Sequence, residues 1–189
     1  PHISKLISLR LLEMGINVIN IGLTATPTVG LYVFHKKATG GIMISASHNS
    51  VEWNALKFFN SKGEFLTKKE SEYIINYQIE SEKDSFLDEK KGKMVLDDDA
   101  INFHISSILK LEEVLVEKIK NKNIKVVLDG INSSGGLLVP KLLEALNVSI
   151  VKLNCEPNGI FDHNPEPIPN NLTKLSSLVV SEKADFGVA

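Results

Sequence analysis

The sequence predicts a layered α/β fold in two consecutive halves, and three observations carry that prediction. Segments with helical apolar spacing alternate with short apolar runs along the chain. Runs such as Ile42-Met43-Ile44 are continuously apolar, as expected of strands covered on both faces. A charged stretch at 81–99, with Ser81-Glu82-Lys83-Asp84, Asp88 to Gly92 and Asp97-Asp98-Asp99, interrupts the alternation once and marks the boundary between the halves. A chain of 189 residues is compatible with one large domain or two small ones.

The elements follow in order. Ile3, Leu6, Ile7, Leu11 and Met14 keep an i, i+3, i+4 rhythm, so a helix is expected over about 3–14, closed by Gly15. Val18, Ile19 and Ile21 form a strand ended by Gly22, and Thr26-Pro27-Thr28 opens a helix through about 28–37. After Gly40-Gly41, the strand Ile42-Met43-Ile44 empties into the polar string Ser45-Ala46-Ser47-His48-Asn49-Ser50. Leu56 to Phe59, the turn Asn60-Ser61-Lys62-Gly63 and Glu64 to Leu66 read as a hairpin. Thr67, with Glu70 three residues on, is a capping box for a helix to about residue 80. In the second half, Ile101, Ile105, Ile108, Leu109, Leu115 and Ile119 mark one long helix, and Ile124 to Leu128 a strand. Gly135-Gly136 open a helix to about Leu146; a strand at 148–153, a helix around Leu172, Leu175 and Val179, and a strand at 184–189 complete the chain.

Composition excludes several classes. Hydrophobic residues make up 43% and charged residues 23%, which fits a globular core rather than a disordered or collagen-like chain. The net charge of −2 offers no basic surplus for nucleic acid or an anionic membrane, and no apolar run approaches the length of a membrane span. With Cys155 as the lone cysteine, no internal disulfide is possible and a reducing compartment, the cytoplasm, is expected. Of 21 basic residues only Arg10 is arginine, so any phosphate must be held by backbone N–H groups, lysine or other parts of a longer protein. The chain begins without Met at Pro1 and ends directly after Phe186-Gly187-Val188-Ala189, and it reads as a fragment.

Among residues that could do chemistry, Ser47 stands out, because open α/β sheets bind ligands beyond the carboxyl ends of their strands. A Ser-His hydrolase is disfavoured: the G-x-S-x-G elbow is missing, and adjacent side chains on extended backbone diverge, which misplaces His48 as a base for Ser47. The alternative is an ordinary polar loop. Lys57, beside Phe58 and Phe59, either snorkels to solvent or, desolvated, moves protons near neutral pH. The segment Asp129-Gly130 to Gly136 could set a helix N-terminus against phosphate, but it lacks both phosphate-loop spacings and is better explained by packing and capping. The three aspartates at 97–99 read as a solvated linker, and His2, His35, His104 and His163, the last near Asp162, as ordinary surface or packing histidines.

The string Gly40 to Asn49 closely resembles the phosphoserine loop of the α-D-phosphohexomutases: the phosphoglucomutases, phosphomannomutases and phosphoglucosamine mutases. Asn17 to Leu23 with Thr26-Pro27-Thr28 is similar to that family's upstream strand and T-P-T turn. Trp53 to Phe59 resembles its N-G-x-K-F segment, and Asn164-Pro165-Glu166-Pro167 its N-P-E-P stretch. The segments occur in family order over nearly the whole chain. Two positions depart: Ser50 stands where proline is usual, releasing a φ restraint, and Ala55 where glycine is common.

The resemblance implies two consecutive three-layer α/β domains, 1–92 and 97–189, each a mixed sheet flanked by helices, from a normally four-domain enzyme. It implies that Ser47 is carried as phosphoserine and exchanges its phosphoryl group with a hexose or hexosamine phosphate through a bisphosphate intermediate, with no nucleic-acid or membrane partner. It further implies Mg²⁺ on a phosphate oxygen of Ser47, its aspartate ligands lying in a D-G-D-x-D-R loop after Ala189. Ser45, His48 and Asn49 would shape the phosphate loop, and Lys57 becomes a candidate general acid/base or charge stabiliser. On that basis the 189-residue piece alone is expected to lack mutase activity. The S-A-S-H-N wording favours a phosphoglucosamine mutase, with phosphomannomutase/phosphoglucomutase as the close alternative and a non-catalytic sugar-phosphate-binding module as the alternative of another class.

Overall fold

The computed structural model describes residues 2–47, 49, 53–77 and 90–189. Contacts divide the chain into two units, one of 1–22, 29–45 and 54–100, the other of 23–28, 46–53 and 101–189. The expected end of the third helix near residue 80, and residues 81–89 of the charged stretch at 81–99, lie outside the described residues.

The first unit holds helix α1 (His2–Glu13), strand β1 (Val18–Asn20), most of helix α2 (Thr26–Lys36), strands β2 (Gly41–Ile44) and β3 (Leu56–Phe59), helix α3 (Lys68–Asn76) and strand β4 (Met94–Leu96). Its strands form two pairs, β1 with β4 parallel and β2 with β3 antiparallel. β4 is an addition to the elements expected from sequence. Three apolar residues between charged neighbours carry too little pattern to be read as a strand, and the partner, β1, lies far earlier in the chain. Asp97 likewise departs from the solvated-linker reading. Its N–H donates to the Asn20 carbonyl, extending the pair, and its carboxylate meets Lys36 Nζ at 2.9 Å.

Val29 and Val33, one turn apart on α2, bury against Phe59 of β3 and form the core of this unit. That packing brings α2 onto the turn after β3. Gly63 sits at φ +77°, and a Cβ there would run into the Gly30 backbone, so glycine at both positions permits the approach. The hairpin is present in reduced form, as a bridge of Phe59 to Phe65 and paired bonds between Asn60 and Glu64, while the main partner of β3 is β2. At the start of α3 the Thr67–Glu70 capping box forms in both directions.

The second unit holds helices α4 (Ala100–Leu109, from Ile101 on) and α5 (Val116–Lys120), strand β5 (Lys125–Asp129), helix α6 (Gly135–Ala145), strand β6 (Ser149–Leu153), a 3-10 turn (Pro169–Asn171), helix α7 (Thr173–Ser181) and strand β7 (Phe186–Val188). The expected single helix over 101–119 is therefore two. A continuous helix of that length would run about 28 Å. The break at 110–115 instead lets Leu109 on α4 and Ile119 on α5 pack against the same buried cluster of Val126, Leu146 and Val148. The sheet has order β6-β5-β7 and is parallel throughout, so the mixed character of the fold lies in the first unit.

β5 is the axis of this unit. Val126, Val127 and Leu128 are at most 1% exposed. Alternation sends Val126 toward a cluster with Leu142, Leu146 and Val148, and Val127 to the opposite face with Leu153, Leu175 and Val179, giving helix, sheet and helix layers. His104 on α4 is a packing histidine, as expected. It is buried, it lies 2.8 Å through Nδ1 from Thr28 Oγ1, and burial pushes its pKa down. Among the described residues no helix is long and apolar enough to cross a membrane.

These burial differences set the expected costs of truncation. Leu128→Ala should lower the unfolding free energy in urea by about 2–5 kcal/mol. Leu96→Ala, at a side chain 75% exposed, should change it by no more than about 0.5 kcal/mol. Equal losses would contradict the assigned core.

Candidate active site

β2 and β3 frame the polar loop that the sequence singles out. Ser45 and Ala55 continue the antiparallel ladder beyond the named strands, each N–H donating to the other's carbonyl at 3.0 and 3.2 Å. Ser45 is accordingly half-buried and held by backbone. The chain then turns: the Asn49 N–H donates to the Ala46 carbonyl at 3.1 Å, and Ser47 adopts φ +57° with an exposed side chain. Left-handed backbone is uncommon for a residue with a Cβ. The turn fixes where the serine stands. A hydroxyl on such a turn is accessible to a reacting partner, and it contributes nothing to a core. His48 lies outside the described residues, as does Ser50, one of the two departures from the family string; Asn49 is exposed. Lys57 sits in β3 directly opposite Met43 of β2 and is half-buried.

A second polar cluster was not foreseen as a unit. Asp129, at the carboxyl end of β5, is 5% exposed. Its Oδ1 accepts from the Ile131 N–H at 3.0 Å and from Asn154 Nδ2 at 3.2 Å, and its Oδ2 lies 2.9 Å from His163 Nε2. A buried carboxylate is tolerable because it is met on both oxygens. His163 is thus no isolated surface histidine, and its close partner is Asp129, not the neighbouring Asp162, which pairs with Lys174. Burial works against charge on this ring. The Asp129 bond, the Asn164 carbonyl and the negative charge of Asp129 and Asp162 outweigh it, so its pKa is raised. The available signal in the sequence was an acidic residue ending an apolar strand, which singles out Asp129 but gives no hint of a partner 34 residues away.

Cys155 is a half-buried free thiol. Burial pushes its thiol up, and Sγ donates toward the carbonyls of Leu128 and Leu153. Gly136, in the first turn of α6, serves packing as expected, whereas the expected capping is not made by a side chain. A Cβ on Gly136 would come within 2.8 Å of the Cys155 carbonyl oxygen, and Ser134 makes no side-chain cap. Arg10 pairs with Glu13 on exposed α1. Among the described residues no group of three or more His, Cys, Asp or Glu side chains could enclose a metal ion. Ser47, exposed on its turn, could offer Mg²⁺ a single oxygen, and that only through a phosphate carried on it.

Comparison with known proteins now bears on this arrangement. Residues 1–85 match the family model described as phosphoglucomutase/phosphomannomutase, alpha/beta/alpha domain I, and residues 102–189 match its domain II. The chain is 33% identical to a probable phosphoglucosamine mutase of Methanopyrus kandleri, over 95% of this chain and 38% of that protein. It is 37% identical to a phosphoglucomutase/phosphomannomutase of Thermococcus kodakarensis, over 95% of this chain and 39% of that protein. The chain thus spans about two fifths of these relatives. Among solved structures, a putative phosphomannomutase from Thermus thermophilus matches with TM-score 0.71 and 26% identity, covering 90% of this chain and 38% of that one.

If Ser47 is a presented group and not a structural one, Ser47→Gly should relieve the left-handed backbone and leave stability within about 0.5 kcal/mol of the parent in thermal and urea unfolding. Collapse of the fold in that variant would assign the hydroxyl a structural role.

Proposed function

The chain belongs to the phosphoglucomutase/phosphomannomutase family, and from that premise we propose that it is the phosphoryl-carrying part of a phosphohexomutase, an isomerase interconverting hexose 6-phosphates and hexose 1-phosphates. The observation that carries the proposal is the exposed Ser47 on its left-handed turn at the end of the β2–β3 ladder, inside the S-A-S-H-N string. Its two domains are taken as 1–92 and 97–189, and its location as the cytoplasm.

In the proposed reaction, the enzyme begins with a phosphoryl group on Ser47 Oγ. A free hydroxyl of a sugar monophosphate attacks phosphorus; the new P–O bond to the sugar forms as the bond to Ser47 Oγ breaks, and the sugar hydroxyl gives up its proton. The product is a bisphosphate. After it turns over, Ser47 Oγ takes the other phosphoryl group and the sugar oxygen left behind regains a proton. Such transfer depends on positioning and on neutralising charge. His48 and Asn49 border the phosphate, with Ser45 anchoring the loop to the ladder. Lys57 serves as proton carrier or as a positive charge for the migrating group. Mg²⁺, held by this chain through a phosphate oxygen on Ser47, would supply further neutralisation.

For the sugar we favour glucosamine phosphate, from the wording of the loop and from the name of the Methanopyrus kandleri relative. The Thermococcus kodakarensis relative supports mannose or glucose phosphate as the second reading. In the full-length protein, kcat/KM measured for glucosamine 6-phosphate against mannose and glucose 6-phosphates should favour glucosamine; a preference for the neutral sugars would select the second reading. Lys57→Met should lower kcat by about 10²–10⁴-fold for any of them. An unchanged kcat would remove Lys57 from the chemistry. Turnover of none of the three would favour a non-catalytic sugar-phosphate binder.

A further inference from the structure

His163 is held between two acceptors. Nε2 is 2.9 Å from Asp129 Oδ2, and Nδ1 is 2.8 Å from the main-chain carbonyl oxygen of Asn164. A carbonyl oxygen has no proton to give and a carboxylate only accepts, so both bonds exist together only if each ring nitrogen carries its own hydrogen. A neutral imidazole carries one. We infer that His163 is a proton-operated latch, which as imidazolium fastens the 154–164 loop to the carboxyl end of β5 and on deprotonation gives up one of its two anchors together with the charge pairing.

The latch closes on a segment built to need it. Beyond Asp129 the backbone enters two successive left-handed residues, Ile131 at φ +46° and Asn132 at φ +52°. This conformation is costly for a β-branched side chain such as Ile131. Asp129 Oδ1 holds the Ile131 N–H, so the carboxylate that pins His163 also pins the strained turn. Asn132 in turn ties down the facing loop: its Oδ1 accepts from the Glu156 N–H, its carbonyl from the Gly159 N–H, and its Nδ2 donates to the Ile160 carbonyl. The turn and the loop are therefore one hydrogen-bonded unit, and among the described residues the ion pair that joins this loop to β5 is His163–Asp129.

The charged groups around the ring all have a bearing on its proton. Asp129 reaches it from β5, and Asp162 precedes it along the loop with its own charge paired to Lys174 of α7 at 3.0 Å. The balance favours the imidazolium. Because the folded pKa is raised, the stabilisation is complete below the unfolded value of about 6.5 and is lost as pH rises through the folded value.

Nitrogen-15 NMR of the imidazole across pH tests this in the protein itself. Both His163 nitrogens should show the protonated shift below a titration midpoint that lies above that of free imidazole. Amide protection at Ile131, Glu156 and Gly159, corrected for intrinsic exchange, should fall several-fold through that same titration. In His163→Gln, whose amide keeps one donor and no charge, the pH-dependent part of the protection should vanish. A His163 midpoint at or below that of free imidazole, or protection that does not follow the His163 titration, would overturn the latch. Should the glutamine variant fail to fold, the parent titration and its exchange profile decide alone.

Discussion

Burial of β5 on both faces is the constraint on which the second unit depends. A strand covered on two sides cannot alternate polar with apolar, so Val126-Val127-Leu128 are consecutive apolar residues and each serves a different helical layer. The same burial dictates what happens where the apolar run stops. Asp129 ends the strand while still excluded from water, so its carboxylate must find donors, and it finds them in a left-handed turn, in Asn154 and in His163. Core packing and the polar cluster are thus consecutive consequences of one strand.

The first unit solves a different problem with less material. It consists of two short strand pairs and a small core around Val29, Val33 and Phe59. Rigidity comes from the backbone: the reciprocal Ser45–Ala55 bonds close the ladder, and the glycine contact between α2 and the turn after β3 braces it. Glycine is the residue that normally occupies a left-handed turn. That serine does so at an exposed position is the feature most in need of a functional reason.

Much of this was legible in the sequence, for reasons that differ by element. Helices with strong apolar period, such as α1 and α7, and apolar strands such as β2 and β5 announced themselves locally, as did the Thr67–Glu70 capping box. The family resemblance covering both units was carried by motif order. What stayed hidden depended on distant partners. β4 is three residues long and exists only through pairing with β1; the division of the 101–119 helix answers the need to fold back onto the Val126 cluster; and the Asp129–His163 pair joins residues no local rule connects. Lone histidines and aspartates look alike in a sequence, and only the fold decides which of them meet.

Ser47 as the carrier of the phosphoryl group is tested most directly by intact-mass measurement of the full-length protein before and after incubation with a hexose 1,6-bisphosphate. One phosphoryl adduct should appear, map by fragmentation to Ser47, and be absent from a correctly folded Ser47→Ala protein. An adduct at another residue, or none from a folded parent protein, would contradict the account.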